Sequence, residues 1–497
     1  MKKIYLLIAF NLFVFYNTYS QVKTLNYKHD FFKGSTAITS VRLNKDAIAF
    51  VSNDGDKAVE ITCTDNGTNI QWSTQLEGYV RDAKLLGENL LIIVSTDFTV
   101  MTSANSTYKA YLVGARKGNL LKSKVLFSGN NDFHTIPYVL ISKDKKTLTL
   151  ATRETAVKRN VKIGVGTLGA LYTIKRTIDQ SNKIKSFNVL TFDDNLEEKG
   201  AISPVLPDGD FIGIQKTLND DMYIAVSQNK QGITISQYLP GSEKALKSIN
   251  ETFSYYSGMI GTEHLNEQIK FFADTLSGNA IYITGSFKTG DEYVSIFNKY
   301  DFVKNQHKRF KKVFNKSEIK EMEKAFKPVN KEFKKLSLGG PKCMELQEVV
   351  VHKDGYFLII SDESVTAPGQ YSGPVPYSEG IIVYSLDREL IPKTISTIPR
   401  YFVGYPKPCL KIYLKDNSVY IFASHETHAN FIIAKVNLIS GKVENLQLTE
   451  PSKAGRTDYS QLSEAIMSDD RILLPVLDPK LSMLKVKSDI QLYQLAW

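Results

Sequence analysis

Along this chain a polar turn is followed, eight times over, by a short apolar run that stops at or near a small residue. The eight windows are Asn44–Ser52, Gly87–Ser95, Lys143–Thr152, Asn219–Ser227, Ser277–Ser286, His352–Ser361, Lys415–Ser424 and Asp469–Val476. Each run is too short for an ordinary helix and too continuous for a strand with one wet face, so it reads as a strand covered on both sides. In the sixth window Asp354-Gly355 is a hairpin signal, because a tight turn of this kind wants positive φ at both central residues. An apolar strand precedes that window (Leu346–Val351) and two more follow it (Ile381–Ser385 and Leu390–Ile398). Four strands recurring at intervals of 43 to 75 residues predict an all-β β-propeller.

The predicted ring has eight four-stranded blades. Seven is the alternative, because the eighth window contains Pro475, which cannot donate to a ladder. Val22–Asp30 precedes the first blade and is placed to supply a fourth strand that closes the ring. Long inserts fall after the second strand (Thr96–Thr107, Arg153–Lys185, Asp362–Gly380) and between blades (Phe127–Pro137, Asn250–Glu267, Val313–Lys342, Pro399–Pro408). Both kinds of connection open on one face of a propeller, and the other face keeps tight turns. In the insert over 313–338, Asn315-Lys-Ser-Glu318 fits a capping box. Ile319, Met322 and Phe326 then share one face of a short amphipathic helix, until Pro328 breaks or kinks it.

Composition changes this picture in three ways. Met1-Lys2-Lys3, an apolar run to Tyr16 and small residues at Thr18 and Ser20 read as a signal peptide over 1–20, leaving a single domain over 21–497. The nearest cysteine after the expected cut is Cys63 and no later run is long and apolar enough to span a bilayer, so the expectation is an exported bacterial protein, periplasmic or secreted and not a lipoprotein. The formal charge of +10 is local: Lys304–Lys335 alone holds 12 Lys or Arg against 4 Glu, which argues against a nucleic-acid footprint spread over the surface. The helix over 315–335 is either a solvated face or a contact for an acidic partner. Three cysteines allow one disulfide, for which Cys343 and Cys409, each ahead of the first strand of consecutive blades, are the candidates; Cys63 reads as a core thiol.

Asp65-Asn-Gly67 followed by Trp72 and Leu76-Glu-Gly78, together with Tyr111-Leu-Val-Gly-Ala-Arg-Lys-Gly-Asn-Leu-Leu121, resembles the repeat of quinoprotein-type (PQQ-like) propellers; Asn437-Leu-Ile-Ser-Gly441 is a fainter copy. Gly114 stands where the family repeat has Asp, Lys122 where it has Trp, and the Gly67-to-Trp72 spacing is one residue long. The resemblance implies the fold, and with these positions changed no quinone or other cofactor is expected.

Candidate chemistry lies on the loop-rich face. Thr152-Arg-Glu154, Ser361-Asp-Glu363 and Ser424-His-Glu426 each put a glutamate where a second strand emerges, either as channel-mouth carboxylates for cation or acid–base work or as turn caps inherited with the repeat. His425 and His428 flank Glu426 at a strand end; their spacing is not that of a helical metalloprotease pair, and no metal is expected there. Tyr371, Tyr377, Tyr401 and Tyr405, with Tyr255 and Tyr256, fall in inserts and suit either partner contacts or packing onto the ring. No serine elbow or phosphate loop is present. The leading expectation is a non-enzymatic binding or scaffold protein taking a protein or glycan on this face; the alternative is an enzyme acting on a polysaccharide or small substrate at the channel mouth.

Overall fold

The computed structural model describes residues 19–28, 39–53, 57–66, 69–96, 105–130, 137–162, 175–217, 220–228, 232–252, 269–274, 280–289, 292–315, 317–318, 342–365, 376–403, 410–425, 430–449, 459–460, 462–468, 471–482 and 485–496. They form eight antiparallel blades. Seven are read straight along the chain, over 39–77, 79–130, 138–202, 210–252, 269–314, 342–403 and 410–449. The eighth takes its second and third strands from Arg471–Ser482 and Lys485–Ala496 and its outermost strand, Tyr19–Lys28, from the other end of the chain. All eight apolar windows become second strands. The eight-blade reading therefore holds and the seven-blade alternative does not.

Continuous apolar character in the second strands follows from their position. Ile281 and Ile283 enter the layer between blades 4 and 5, whereas Ala280 and Tyr282 enter the layer between blades 5 and 6. Phe357 and Ile359 likewise face blade 7 while Tyr356, Leu358 and Ile360 face blade 5. Strand side chains alternate between faces, so a strand buried on both sides must be apolar at every position. The core is thus a series of layers between blades. Where blade 1 meets blade 8, the described contacts are polar: the Ser40 hydroxyl donates to the Glu464 carbonyl (2.6 Å), the Ser40 N–H to Glu464 Oε2 (2.8 Å), and Arg42 Nη2 to the Met467 carbonyl (3.1 Å).

Pro475 is accommodated because the inner strand opposite it is broken. Tyr459–Ser460 pairs with Val476 and Leu477, and Ile466–Met467 pairs with Ile472 and Leu473. The turn Leu462–Glu464 occupies the gap between these two pieces, next to the proline. The closing strand runs over Tyr19–Lys28 rather than Val22–Asp30, so it begins two residues ahead of the expected cut; residues 1–18 lie outside the described set.

Other expectations need correction. The turn of the sixth window is Lys353-Asp354, neither with positive φ, and Gly355 opens the strand at φ 156°. Glycine is required there because a Cβ would stand 1.9 Å from the Leu386 carbonyl of the third strand. The insert expected over 313–338 begins only after Phe314, since Gln306–Phe314 is the outer strand of blade 5. The capping bonds do form: Glu318 N–H donates to Asn315 Oδ1 (2.9 Å) and Asn315 N–H to Glu318 Oε2 (3.0 Å). Ser317 and Glu318 take helical conformation, and the rest of the helix expected over 315–335 lies outside the described residues. Two charges of the basic run pair within the ring: Arg309 with Glu251 of blade 4 at 2.9 Å and Lys308 with Glu389 of blade 6. No described helix is long and apolar enough to cross a membrane.

Candidate functional site

Two of the inserts on the loop-rich face are continuations of strands. In blade 3 the second and third strands run to Lys162 and from Lys175, with pairing maintained out to Lys162 opposite Lys175. Residues 155–162 at about 3.3 Å per residue carry that hairpin ~25 Å past Glu154. In blade 6 all four strands are long, Lys342–His352, Gly355–Val365, Pro376–Asp387 and Pro392–Val403. Cys343, Glu363, Ser378 and Phe402 form one row across that extension. Tyr377 pairs with Ser364 and Val403, and Tyr401 sits in the bulge between the Ser378 and Gly380 pairings. These two tyrosines therefore belong to strands and not loops. Glu426, His428, Tyr371, Tyr405, Tyr255, Tyr256 and Cys409 lie outside the described residues, as do the side chains of Glu363, Tyr377, Tyr401 and Cys343.

One described polar cluster on this face is at the junction of blades 6 and 7. Arg400, 1 % exposed, donates through Nε (3.1 Å) and Nη2 (2.9 Å) to the Ser378 hydroxyl, itself fully buried. His425 ends the second strand of blade 7, is 6 % exposed, and follows the buried Ser424. Burial, with the Arg400 charge adding to it, pushes the imidazole down to about 4. At neutral pH His425 is therefore an uncharged donor and acceptor beside a permanent cation. Among the described residues no group of three His, Cys, Asp or Glu is arranged to hold a metal.

Structure and sequence differ most clearly at the emerging strand ends. In blade 3 the glutamate singled out from sequence, Glu154, is exposed and stands 3.8 Å from Lys185. Arg153, one residue earlier, is the buried group: its guanidinium lies 4.9 Å from the Phe211 ring centroid and 5.6 Å from that of Tyr138. Burial lowers its pKa, with the Tyr138 phenol working against that. In blade 7 the buried residue at the same strand end is His425. Strand parity was the missed signal, since Arg153 shares a face with the buried Ala151. Arg81 adds a further guanidinium on this face, donating through Nε to the buried Ser95 hydroxyl (2.7 Å). Glu154 belongs to blade 3 and Glu363 to blade 6, so these two carboxylates do not share a blade.

Cys63 is a buried free thiol, pushed up to about 11 by burial, in agreement with the sequence reading. Trp72, on the outer strand of blade 1, donates through Nε1 to the Ala115 carbonyl of blade 2 (3.1 Å). Its ring lies over Gly118, where a Cβ would come within 2.3 Å.

No family model and no curated protein matches the chain. Solved structures similar to it include the WD40 domain of SCAP from fission yeast (8 % identity, 96 % of this chain and 98 % of that one, TM-score 0.38). The polysaccharide lyase Uly1 matches at 9 % identity over 96 % of this chain and all of its own, TM-score 0.38. A putative dipeptidyl aminopeptidase IV from Bacteroides ovatus matches at 7 % identity over 92 % of this chain and 65 % of its own, TM-score 0.39. At these identities the likeness concerns the β-propeller fold alone.

Proposed function

We propose that this chain is an exported, non-enzymatic binding propeller that takes a protein or glycan partner across its loop-rich face. The observation that supports this reading is the lengthening of all four strands of blade 6 on that face, while its turns on the opposite face stay short. Strands fix Tyr377 and Tyr401 on a paired scaffold, which lowers the ordering cost of a contact relative to the same residues on loops. Descent from PQQ-like repeats is part of the proposal, supported by the Trp72–Gly118 contact between the two blades that carry the resemblance.

The test is capture of partners from the exported fraction, alongside a glycan array, with wild type and the Tyr371→Ala/Tyr401→Ala variant. Binding is expected to disappear in the variant with the circular-dichroism spectrum unchanged; binding that survives overturns the reading. If Glu363→Gln and Glu426→Gln abolish a measurable turnover while leaving binding intact, the enzyme alternative replaces it.

A further inference from the structure

On the opposite, tight-turn face a cavity of about 220 Å³ lies between blades 3 and 4. It exists because one second strand breaks the rule of its kind. Thr147-Leu148-Thr149-Leu150 alternates: Leu148 and Leu150 enter the layer toward blade 2, while Thr147 and Thr149 face the cavity on the blade 4 side. Thr191, register partner of Thr149 on the third strand, adds a third hydroxyl to the same wall. Elsewhere this layer is filled by large side chains such as Phe211 and Tyr238, and here it is not. A side chain grown at Gly200, on the rim, would meet no atom within 4 Å.

Across from the threonines stands Lys216, with 13 % of its side chain exposed. Its ammonium is 3.0 Å from Asp220 Oδ1 and donates to the Thr149 hydroxyl at 3.1 Å. A donor and a carboxylate acceptor are thus held side by side. Lys199, at the mouth, is paired with Asp193 at 2.7 Å. Each ammonium in or near the cavity already has its carboxylate, so a bare anion finds no uncompensated charge. Val189, Ile202, Met222 and Leu239 complete the lining with apolar surface. At ~30 Å³ per water the volume holds about seven waters, the scale of one sugar ring.

We infer that this cavity binds a single neutral hydroxylated ring, a monosaccharide unit, either free or at the end of a glycan chain. Adjacent hydroxyls of the ring donate to Asp220 and accept from Lys216 and the threonines, and its C–H face lies on the apolar wall. A site built from hydroxyl-directed groups rejects ligands that lack them, because its own polar groups are then left unpaired. This inference stands apart from partner binding on the loop-rich face and uses none of its residues.

Titration calorimetry and saturation-transfer NMR on the full chain would use free glucose, galactose and mannose, their methyl glycosides, the corresponding uronic acids, and lactate as a small hydroxy-acid control. At least one neutral hexose should bind at millimolar concentration or below. Thr149→Val, which keeps the shape and removes the hydroxyl, and Lys216→Met should each weaken it tenfold or more with the melting temperature unchanged. If Lys216→Met fails to fold, Thr149→Val decides alone. Equal binding of methyl glycosides assigns the ligand to a chain end, and binding of the free sugar only assigns it to a free monosaccharide. Absence of any hexose signal at 100 mM, binding indifferent to both variants, or preference for lactate or a uronate over the neutral sugars overturns the inference.

Discussion

Gly118→Ala is expected to be among the most damaging small substitutions in this chain, for two separable reasons. Gly118 has φ 68°, in the left-handed region, where an alanine costs about 1–2 kcal/mol. Its Cβ would also stand 2.3 Å from Trp72 Cε3 and 2.7 Å from Cδ2, against the 3.5–4.0 Å of a comfortable carbon contact. The indole must slide by more than an ångström, which costs about 1–3 kcal/mol as overpacking and removes the Nε1 bond to Ala115, worth about 0.5–1.5 kcal/mol. The total is about 3–6 kcal/mol. In a Trp72→Ala background the steric part vanishes and only the backbone cost of about 1–2 kcal/mol remains, so the two substitutions should couple by at least ~1.5 kcal/mol. Urea unfolding followed by far-ultraviolet circular dichroism measures the cycle. Tryptophan emission adds a local readout, because Trp72 is one of only two tryptophans in the chain. Additivity within ~0.5 kcal/mol would refute the reasoning.

Removing the buried guanidinium in Arg400→Met should cost about 2–4 kcal/mol by urea unfolding, through the orphaned Ser378 hydroxyl and repacking, whereas Glu154→Gln should cost under ~0.5 kcal/mol. His425 and His352 are both held down to about 4, mainly by burial, so between pH 6.5 and 4 the unfolded chain takes up protons that the native state refuses. Stability should therefore fall as pH drops through that window, by up to about 3 kcal/mol per histidine, and His425→Gln should flatten the slope; an unchanged slope refutes the assignment. Cys63 should resist a thiol reagent in the native state and react on unfolding. Non-reducing peptide mapping should find Cys343 joined to Cys409, and three free thiols would refute that link.

Blade architecture was legible because burial on both faces of a strand leaves an unambiguous sequence mark: Leu90–Val94 and Tyr356–Ile360 have no polar position to misread. The cavity was harder to see because Lys143–Thr152 was grouped with the other windows, although its Thr-Leu-Thr-Leu alternation already announced one polar face. Residues 155–162 read as an insert because the apolar run of the window ends at Ala151, although strand pairing continues to Lys162. Arg400 left no mark at all, since nothing local separates a guanidinium buried against Ser378 from one in solvent. Pro475 was read correctly as a ladder breaker, but the break is local and falls opposite a gap that sequence alone does not reveal.

The strand Tyr19–Lys28 has a kinetic consequence. Lys28 pairs with Lys487, so this contact joins segments separated by nearly the whole chain. Closing a flexible loop of that length costs about 5 kcal/mol, against about 1 kcal/mol for a hairpin. The cost falls only when the intervening blades have already drawn the ends together, which makes ring closure the last step of folding. Until then the outer edge of Lys485–Ala496 is an open template for the same strand of another molecule. Refolding at high protein concentration should accordingly give strand-exchanged oligomers, their yield rising with concentration, while dilute refolding returns the ring closed by its own strand.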